Sequence, residues 1–267
     1  MNAASDAAVP GGAATSPPAA VPELSVVVPV FNERDNIPPL VGEIVAALRG
    51  RLPFEIVYVD DQSKDDSHDV LRALMATTPE LRVLRHRQQS GQSTAIRNGV
   101  KAARGAWIAT LDGDGQNDPA DIPKLLDERE RSARERDPSL PPLKLFAGWR
   151  VNRKDTGSKR WASKIANAIR SRLLDDETPD TGCGIKLFER ATFLDLPYFD
   201  HMHRYLPALV RRAGFASVSV PVNHRERSAG VSKYNNLNRA WVGLSDLRGV
   251  GWLVKRSKRT GVDEAPR

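Results

Sequence analysis

The chain has 267 residues, 40% of them hydrophobic, and is long enough to form one large globular domain with a buried core. Its one cysteine, Cys183, excludes an internal disulfide and is typical of a reducing compartment. The net charge of +7 favours anionic partners, but 6% aromatic residues and the lack of a recognisable nucleic-acid-binding motif argue against nucleic acid. We therefore expect a membrane surface and a phosphate-rich substrate as partners.

The beginning of the chain, residues 1–22, is rich in Ala, Pro, Gly and Ser. This composition predicts a disordered tail, because it offers little apolar surface to bury. The segment has neither a basic start nor a long apolar run, so no signal peptide is predicted there. No uncharged apolar run in the chain reaches the ~18 residues typical of a membrane-spanning helix, and no such helix is predicted.

The next part of the chain alternates strand and helix patterns. Continuous apolar runs predict strands at residues 24–30, 55–59, 81–84 and 106–111. Apolar residues at helical spacing predict intervening helices at residues 36–48, 66–75 and from Gly91 to near Ala103. This alternation builds βαβ units, so the sequence predicts an α/β fold with a mostly parallel central sheet flanked by helices.

The pattern changes in the second half of the chain. Helices are predicted, in chain order, at residues 119–136, 158–174 and 204–213. Strands are predicted at residues 143–147, at residues 217–222 and directly after a Gly-rich turn at residues 180–186. Because the sequence shows neither an internal repeat nor a linker, we expect residues 23–236 to form a single domain.

Acidic residues follow three of the predicted strands. They are Glu33 after the first strand, Asp60 and Asp61 after the second, and Asp112 and Asp114 after the fourth. Ligands of parallel sheets bind beyond the carboxyl ends of the strands, where these side chains meet. A single Asp at such a junction is commonly a helix cap, but acids on three strands favour a site for a cation or a hydroxyl-rich ligand.

The segment from Asp112 to Gln116, with the sequence DGDGQ, carries the clearest chemistry. It places two carboxylates one residue apart, spaced by glycines that let the backbone approach a ligand closely. Mg²⁺ is usually held by one or two carboxylates together with phosphate oxygens and water, and the Gln116 amide oxygen adds a further ligand. The alternative is an Asp-Gly turn that closes a hairpin. The segment is thus a candidate metal site formed by Asp112, Asp114 and Gln116.

Four segments carry a resemblance to a known family. They are VPVFNE at residues 28–33, VDDQS at 59–63, DGDGQ at 112–116 and RSAGVSK at 227–233. In order and spacing they resemble the family-2 glycosyltransferases of the polyprenyl-phosphate branch, the group that includes the dolichol-phosphate mannosyltransferases. The resemblance extends over residues 24–252. It implies the A-type glycosyltransferase fold, also called the nucleotide-diphospho-sugar transferase fold, and a bound Mg²⁺ or Mn²⁺.

The resemblance also implies roles for individual residues. Pro29, Phe31 and Glu33 would line the pocket for the base and ribose of the donor, and Asp60 and Asp61 belong to the same side, with Asp61 on the base or ribose. The residues implied around the diphosphate are the metal ligands Asp112, Asp114 and Gln116 and the phosphate-binding Arg227 and Lys233. The residues implied on the acceptor side are Arg150 and Arg160.

Three positions depart from the family pattern. Phe31 replaces a common Tyr and lacks its hydroxyl, Gln62 stands where Gly is frequent, and Asn117-Asp118-Pro119 replaces the usual His-Pro-Pro. None of these changes removes an expected metal ligand. They bear instead on the preference for the sugar and the base of the donor.

The predicted catalytic residues are Asp112, Asp114, Arg227 and Lys233. Transfer from a nucleotide sugar requires stabilisation of the departing diphosphate, and a metal held by two carboxylates supplies it as a Lewis acid. Arg227 and Lys233 are expected to assist by binding phosphate oxygens. The alternative for their segment is a solvated basic loop.

The nature of the acceptor decides whether a base is needed. A hydroxyl acceptor requires a general base, whereas a phosphate monoester, with a second pKa of about 6, is already an oxyanion at neutral pH. Arg150, Arg153 and Arg160 would neutralise such a phosphate. The histidines that are alternative bases, although structural roles are more typical of them, are His201, His203 and His224.

The C-terminal region has features of a membrane-surface helix over residues 237–254, followed by a basic tail over residues 255–267. The apolar residues expected on one face are Leu237, Ala240, Trp241, Leu244 and Leu247. A stripe with Trp beside a basic cluster suits an anionic membrane surface. The alternative is a helix packed on the domain, followed by a solvated tail.

Together these observations predict a metal-dependent, inverting glycosyltransferase, with inversion implied by the resemblance alone. It would move a mannose- or glucose-like sugar from a nucleotide diphosphate to a dolichyl or undecaprenyl phosphate. We expect a peripheral position on the cytoplasmic, inner face of the membrane, with a membrane protein as a further candidate partner. One alternative is an enzyme of the same fold with a sugar hydroxyl as acceptor, in which Asp118 or Asp121 is the base. A second is a non-catalytic nucleotide-sugar-binding protein.

Overall fold

The computed structural model describes residues 21–151, 170, 173–174, 178–223, 225, 236–258 and 260, with the side chains of the last helix described from residue 243 onwards. Arg160, Arg227 and Lys233, which the sequence analysis singled out, lie outside the described residues. So do Arg153 and His224, most of the predicted 158–174 helix, nearly all of the 1–22 tail and most of the 255–267 tail.

A central sheet forms the framework of the described part. Its strands, in chain order, are β1 (Leu24–Val30), β2 (Phe54–Asp60), β3 (Leu81–Arg85), β4 (Trp107–Thr110), β5 (Leu143–Arg150), β6 (Lys186–Glu189) and β7 (Ala216–Val222). The spatial order is β3-β2-β1-β4-β6-β5-β7. Only β6 runs against its neighbours β4 and β5 in this sheet, so the pairing is mostly parallel, as predicted.

Helices cover both faces of the sheet. In chain order they are α1 (Ile37–Leu48), α2 (Ser67–Met75), α3 (Gln92–Ala102), α4 (Ile122–Glu135), α5 (Arg190–Asp195), α6 (Leu206–Arg212) and α7 (Asn236–Lys255). Single 3-10 turns at Pro119–Asp121 and Met202–Arg204 precede α4 and α6. None of the helices within the described ranges is long and apolar enough to cross a bilayer.

The strand β1 shows why its sequence is continuously apolar. Val26 and Val28 pack into the core layer that contains α1, α2 and α4, whereas Val27 packs into the layer with α3, α6 and α7. Because successive side chains of a strand point to opposite faces, a strand covered on both sides needs apolar residues at every position. The run at residues 24–30 therefore predicts a central strand correctly.

The parallel strands bring the predicted site residues to one edge. Val30 is paired with Asp60 across β1 and β2, and Val27 is paired with Thr110 across β1 and β4. The segments that follow these strands consequently leave the sheet side by side. A Cβ atom on Gly113 would lie 2.8 Å from the backbone oxygen of Pro29, so glycine permits the close approach of these segments.

Some predicted boundaries differ from the observed ones. The helix predicted from residue 204 begins at Leu206, after a 3-10 turn, with Pro207 in its first turn where no backbone N–H is needed. The strand predicted at 106–111 ends at Thr110, and β5 continues to Arg150 rather than ending at residue 147. The short helix α5 was not predicted.

Candidate active site

The loop after β4 carries the two predicted metal-binding carboxylates and is closed by its own hydrogen bonds. The backbone N–H of Asp112 donates to Oδ1 of Asn117 at 3.0 Å, and the N–H of Gln116 donates to Oδ1 of Asp114 at 3.1 Å. From outside the loop, Nε2 of Gln92, at the start of α3, donates to Oδ1 of Asp112 at 2.7 Å. Gln92 therefore fixes one oxygen of Asp112, a contact that the sequence analysis did not foresee.

Gly184 lies directly against the Asp112 carboxylate. A Cβ atom on Gly184 would lie 2.2 Å from Oδ2 of Asp112 and 2.5 Å from Oδ1 of Asn117. The backbone oxygen of Gly184 also accepts a 2.8 Å hydrogen bond from Oγ1 of Thr110, on the strand that leads to the loop. The Gly-rich turn before β6 is thus packed onto the acidic loop with no space for a side chain.

The electrostatics of Asp112 suit a bound cation. Burial raises the pKa of the Asp112 carboxyl, the charge of Asp114 raises it further, and Lys186 and Arg150 lower it. The negative charges of Asp112 and Asp114 repel each other within one loop, and a bound cation would neutralise this repulsion. Within the described ranges no cluster of three His, Cys, Asp or Glu side chains forms a metal site. A pair of carboxylates is nevertheless the usual protein share of a Mg²⁺ site completed by phosphates and water.

Lys186 is a buried cation beneath this loop. It begins β6 and is paired with Thr110 across the sheet. Its Nζ donates to the backbone oxygen of Cys183 and lies 3.4 Å from that of Thr181. Burial lowers the pKa of Lys186, while the charge of Asp112 acts to raise it. The sequence signal was a lone Lys entering a strand after a Gly-rich turn, and no role was predicted for it.

Cys183 is not placed to act as a nucleophile. It is fully buried, and burial raises the pKa of its thiol. Thiolate is the reactive form, so a buried thiol with a raised pKa is inert.

Arg150, predicted on the acceptor side, forms a bidentate ion pair with Asp180. Its Nε lies 2.6 Å from Oδ2 of Asp180, and one terminal nitrogen lies 2.8 Å from Oδ1. Burial lowers the pKa of Arg150, but the hydrogen bond and charge of Asp180 outweigh it and raise the pKa overall. Asp180 was not predicted, because its partner is distant in sequence. The pair joins the end of β5 to the Gly-rich turn that covers Asp112.

On the donor side, Phe31 and Glu33 lie in the segment after β1. Oε2 of Glu33 accepts a 2.7 Å hydrogen bond from Nδ2 of Asn36, and the Glu33 N–H donates to Oγ of Ser67 at 3.0 Å. Pro29 is buried within β1. The structure therefore places Pro29, Phe31 and Glu33 at the same sheet edge as the acidic loop, while their contact with a base or ribose stays a prediction.

Gln62, one of the departures from the family pattern, adopts a backbone conformation that favours glycine. Its φ angle is +61°, in the left-handed region. Its side chain spans to the next loop, with Nε2 donating to the Arg87 oxygen at 2.8 Å and Oε1 accepting from the Gln89 N–H at 3.2 Å. These two hydrogen bonds accompany the unfavourable backbone conformation and give the loop after β3 an anchor that glycine would not provide.

Asp60 is held inside the protein by its neighbours. Its Oδ1 accepts from the Ser63 N–H at 2.8 Å, and its Oδ2 lies 3.2 Å from Nε of Arg85 and 3.4 Å from Nδ1 of His68.

Asp61 joins the segment after β2 to the start of α3. Its Oδ1 is 2.7 Å from Nδ1 of His86 and accepts from the Ser90 N–H at 2.7 Å, and its Oδ2 accepts from the Gly91 N–H at 2.8 Å. Of the two acids predicted for the donor site, Asp61 thus organises the loop that delivers Gln92 to Asp112. A direct contact of either with the donor stays a prediction.

The two acids proposed as a general base for a hydroxyl acceptor are both engaged. Oδ1 of Asp118 caps the 3-10 turn by accepting from the Ala120 N–H at 3.0 Å and pairs with Arg225 at 2.6 Å. Asp121 is fully buried, and its oxygens accept from Nζ of Lys124 at 2.5 Å and from the Asn223 N–H at 2.7 Å. These contacts are typical of structural acids rather than of a base facing a substrate.

The two described histidines that were named as alternative bases, His201 and His203, also have structural partners. Nδ1 of His203 lies 2.6 Å from Oγ of Ser93, and burial lowers the pKa of His203 well below its ordinary value. His201 has a φ angle of +63° and pairs with Asp246 of α7 at 3.1 Å. Both arrangements agree with the structural roles that were thought more typical of these residues.

Comparison with known proteins decides the family. The sequence profile described as "Glycosyl transferase family 2" matches residues 25–196. The chain belongs to glycosyl transferase family 2. The predicted resemblance and the predicted enzyme class, a glycosyltransferase, are thereby confirmed.

Curated relatives of this family 2 chain act on polyprenyl phosphates by name. The dodecaprenyl-phosphate galacturonate synthase of Rhizobium johnstonii is 35% identical over 254 residues, which are 92% of this chain and 72% of the relative. The undecaprenyl-phosphate 4-deoxy-4-formamido-L-arabinose transferase of Pseudomonas savastanoi pv. phaseolicola is 33% identical over 215 residues, 79% of this chain. The chain spans 60% of the length of that second relative.

Solved structures of related folds confirm the A-type glycosyltransferase fold. Glucosyl-3-phosphoglycerate synthase of Mycobacterium tuberculosis, solved with Mn²⁺, UDP and glucosyl-3-phosphoglycerate, has a TM-score of 0.58 at 18% identity and covers 88% of this chain and 80% of its own. A mannosyltransferase of Pyrobaculum calidifontis, solved with GDP-Man and Mn²⁺, has a TM-score of 0.60 at 18% identity and covers 90% of this chain and 66% of its own. At this identity the likeness concerns the fold.

Proposed function

We propose that this family 2 glycosyltransferase moves a sugar from a nucleotide diphosphate to a polyprenyl phosphate, with inversion at the transferred carbon. The observation that carries the proposal is the acidic loop, in which Asp112 and Asp114 leave the carboxyl edge of the sheet beside the segments of Phe31 and Asp61. The named activities of the relatives support the choice of a polyprenyl phosphate as acceptor.

The residues of the loop fit a divalent cation. Asp112 and Asp114 would hold Mg²⁺ or Mn²⁺, with the Gln116 amide as a further ligand, and the cation supplies Lewis-acid stabilisation of the diphosphate. Around it, Gln92 orients Asp112, and Gly184, which has no side chain, lets the turn before β6 pack directly against the carboxylate. Arg227 and Lys233 are proposed to bind the departing phosphates.

The acceptor side supports a phosphate nucleophile. Asp118 and Asp121 are engaged with Arg225, Lys124 and Asn223 and present no free carboxylate to a sugar hydroxyl. Burial holds His203 neutral beside Ser93. A phosphate monoester needs no base, because it is largely ionised at neutral pH. Arg150 and Arg160 are proposed to attract this anion, Arg150 from its fixed position on Asp180.

This acceptor implies work at a membrane surface. We propose that the chain is peripheral on the cytoplasmic face, where nucleotide sugars and lipid phosphates meet, and that a membrane protein is a candidate partner.

The identity of the transferred sugar is decided by experiment, because two lines of argument give different candidates. Mannose and glucose follow from the sequence resemblance, whereas the names of the relatives point to galacturonate and a substituted arabinose.

The test is transfer of radiolabelled sugar into undecaprenyl phosphate, recovered by organic extraction, from a panel that includes GDP-mannose, UDP-glucose and UDP-galacturonate. We expect label from one donor with Mn²⁺ or Mg²⁺, none with chelator, and none in Asp114→Ala. The matched control is Asp69→Ala, which removes an exposed carboxylate of α2 and should leave transfer unchanged. Metal-dependent hydrolysis of the donor without label in the lipid would indicate a hydroxyl acceptor instead of a phosphate. The absence of turnover with all of the donors would refute the proposal.

A further inference from the structure

The helix α7 is fixed on the domain by one of its faces. Leu247 and Val250 are buried in the core layer that includes α3 and α6. Arg212 donates from Nε to the backbone oxygen of Leu253 at 2.9 Å, and Tyr205 donates from its hydroxyl to that of Gly243 at 3.2 Å. Because these contacts set the rotation of the helix about its axis, they also define which face points outwards.

That outward face differs from the one expected from the sequence. Leu244 and Leu247 were predicted to share an apolar face, but Leu247 is buried whereas Leu244 is 48% exposed. Trp252, eight positions after Leu244, is 59% exposed. Residues spaced by four lie one above the other on a helix, so Leu244, Arg248 and Trp252 form a single exposed stripe. On the described part of α7, this stripe is the apolar surface available to a partner.

The charge of the outward face has one sign. Arg248, Lys255, Arg256 and Lys258 are exposed, and the Arg256 guanidinium lies 5.7 Å from the centre of the Trp252 ring. Between residues 236 and 258 the sequence contains one acid, Asp246, and this acid is turned towards His201 at 3.1 Å. The described part of the outward face therefore presents cations and apolar side chains without a carboxylate.

We propose that the outward face of α7, formed by Leu244, Arg248, Trp252 and Lys255, together with Arg256 and Lys258 directly after the helix, binds the surface of an anionic lipid bilayer. Trp and Leu among basic residues are the composition of helices that lie in the plane of such a surface. Phosphate headgroups would neutralise the cations, and the acyl boundary would remove Leu244 and Trp252 from water. A nucleic acid would satisfy the cations but leave Leu244 exposed.

This inference deepens the proposed function, on which it rests for the need to reach a lipid acceptor. It can be tested with no donor, acceptor or metal, so the two can fail separately. The probe is the full chain sedimented with vesicles of phosphatidylcholine, with and without phosphatidylglycerol. We expect binding only with phosphatidylglycerol, a loss of binding at high salt, and a blue shift of Trp252 fluorescence that Trp252→Phe abolishes.

The decisive variants compare changes on the outward face of α7 with the same kinds of change elsewhere on the protein surface. Arg248→Glu with Arg256→Glu should weaken binding by at least ~25-fold, because each cation near an anionic membrane contributes roughly fivefold. The matched control is Arg72→Glu with Arg134→Glu, the same charge change on α2 and α4 in the opposite core layer. Leu244→Ser should likewise weaken binding, whereas Met75→Ser, at an exposed apolar position of α2, should not.

Equal binding to neutral vesicles, or equal loss in both charge-reversal variants, would overturn the proposal. So would unchanged vesicle binding in Arg248→Glu with Arg256→Glu when circular dichroism shows a native fold. Preferential binding of DNA over phosphatidylglycerol vesicles would assign the face to a different partner.

Discussion

A Cβ atom on Gly184 would lie 2.2 Å from Oδ2 of Asp112, although 72 positions separate these residues in the chain. The contact is possible because β6 runs antiparallel beside β4, which brings the turn before β6 over the end of β4. One oxygen of Asp112 is thus held by Gln92 and the other is covered by a glycine. Asp112, the clearest candidate site residue in the sequence, is thus positioned by Gln92 and Gly184, for which the sequence predicted no role.

Gly184→Ala should impair the metal site with little effect on the fold elsewhere. The new methyl group must displace Asp112 or Asn117, and loss of a residue that orients a metal ligand typically costs ten- to a hundredfold in affinity or activity. We expect a Mn²⁺ affinity at least ~10-fold weaker by isothermal titration, with transfer reduced in parallel.

The control for this variant is Gly42→Ala in α1, where a Cβ atom meets nothing within 4 Å. Alanine is favoured over glycine inside a helix by about 1 kcal/mol, so this change should stabilise the protein and leave Mn²⁺ binding intact. Unchanged metal affinity in Gly184→Ala would show that the turn does not define the site.

Asp180→Ala should destabilise the protein because it leaves a charge without its partner. The side chains of Arg150 and Asp180 are only 13% and 10% exposed, and removal of one member of a buried ion pair costs about 3 kcal/mol. Urea unfolding measures this loss. Arg49→Ala breaks the more exposed pair with Glu80 and should change the unfolding midpoint little.

Transfer should also respond to Asp180→Ala if Arg150 serves the acceptor. The freed guanidinium would change the KM for the lipid phosphate more than the KM for the donor. A fall in stability with both KM values unchanged would restrict Arg150 to a structural role.

His203 should make the protein sensitive to mild acid. Burial lowers its pKa in the folded state, and the charges of Lys186, Arg204 and His201 lower it further. Below the unfolded-state pKa of about 6.5, the unfolded chain takes up a proton on His203 that the folded chain excludes. The free energy of unfolding therefore falls as the pH falls below this value. The loss approaches about 1.4 kcal/mol per pH unit below that value.

Urea unfolding between about pH 7.5 and about pH 5.5 measures this dependence. His203→Gln should flatten it, whereas Ser93→Ala, which keeps the buried imidazole and removes only its 2.6 Å partner, should retain it. An equally steep dependence in His203→Gln would assign the acid sensitivity to other groups.

Local patterns in the sequence account for most of the sheet. The run from Leu24 to Val30 predicts a strand covered on both faces, and the acids after β1, β2 and β4 predict the functional edge, because both are contained in short segments. The resemblance to the family added the A-type fold. Features that depend only on neighbouring residues in the chain can therefore be predicted from the sequence.

Contacts between distant residues could not be read in the same way. Gln92 and Asp112 are 20 positions apart, and Arg150 and Asp180 are 30 apart, so no local periodicity links them. The face of α7 was also misassigned at Leu247. Val250 and Leu253 lie on the same side of α7 as Leu247 and pack towards the domain. Which side of the helix is buried depends on the position of α6, which the local sequence does not give.

The most direct test of the central claim compares two acceptors that differ only in the phosphate. Undecaprenyl phosphate and undecaprenol would each be incubated with the active nucleotide sugar and Mn²⁺, and the label in the organic phase measured. The candidate bases Asp118, Asp121, His201 and His203 are all engaged with partners inside the protein, whereas a phosphate acceptor is already ionised. We therefore predict label with the phosphate and none with the alcohol. Equal label with undecaprenol would contradict this account and require a general base at the acceptor site.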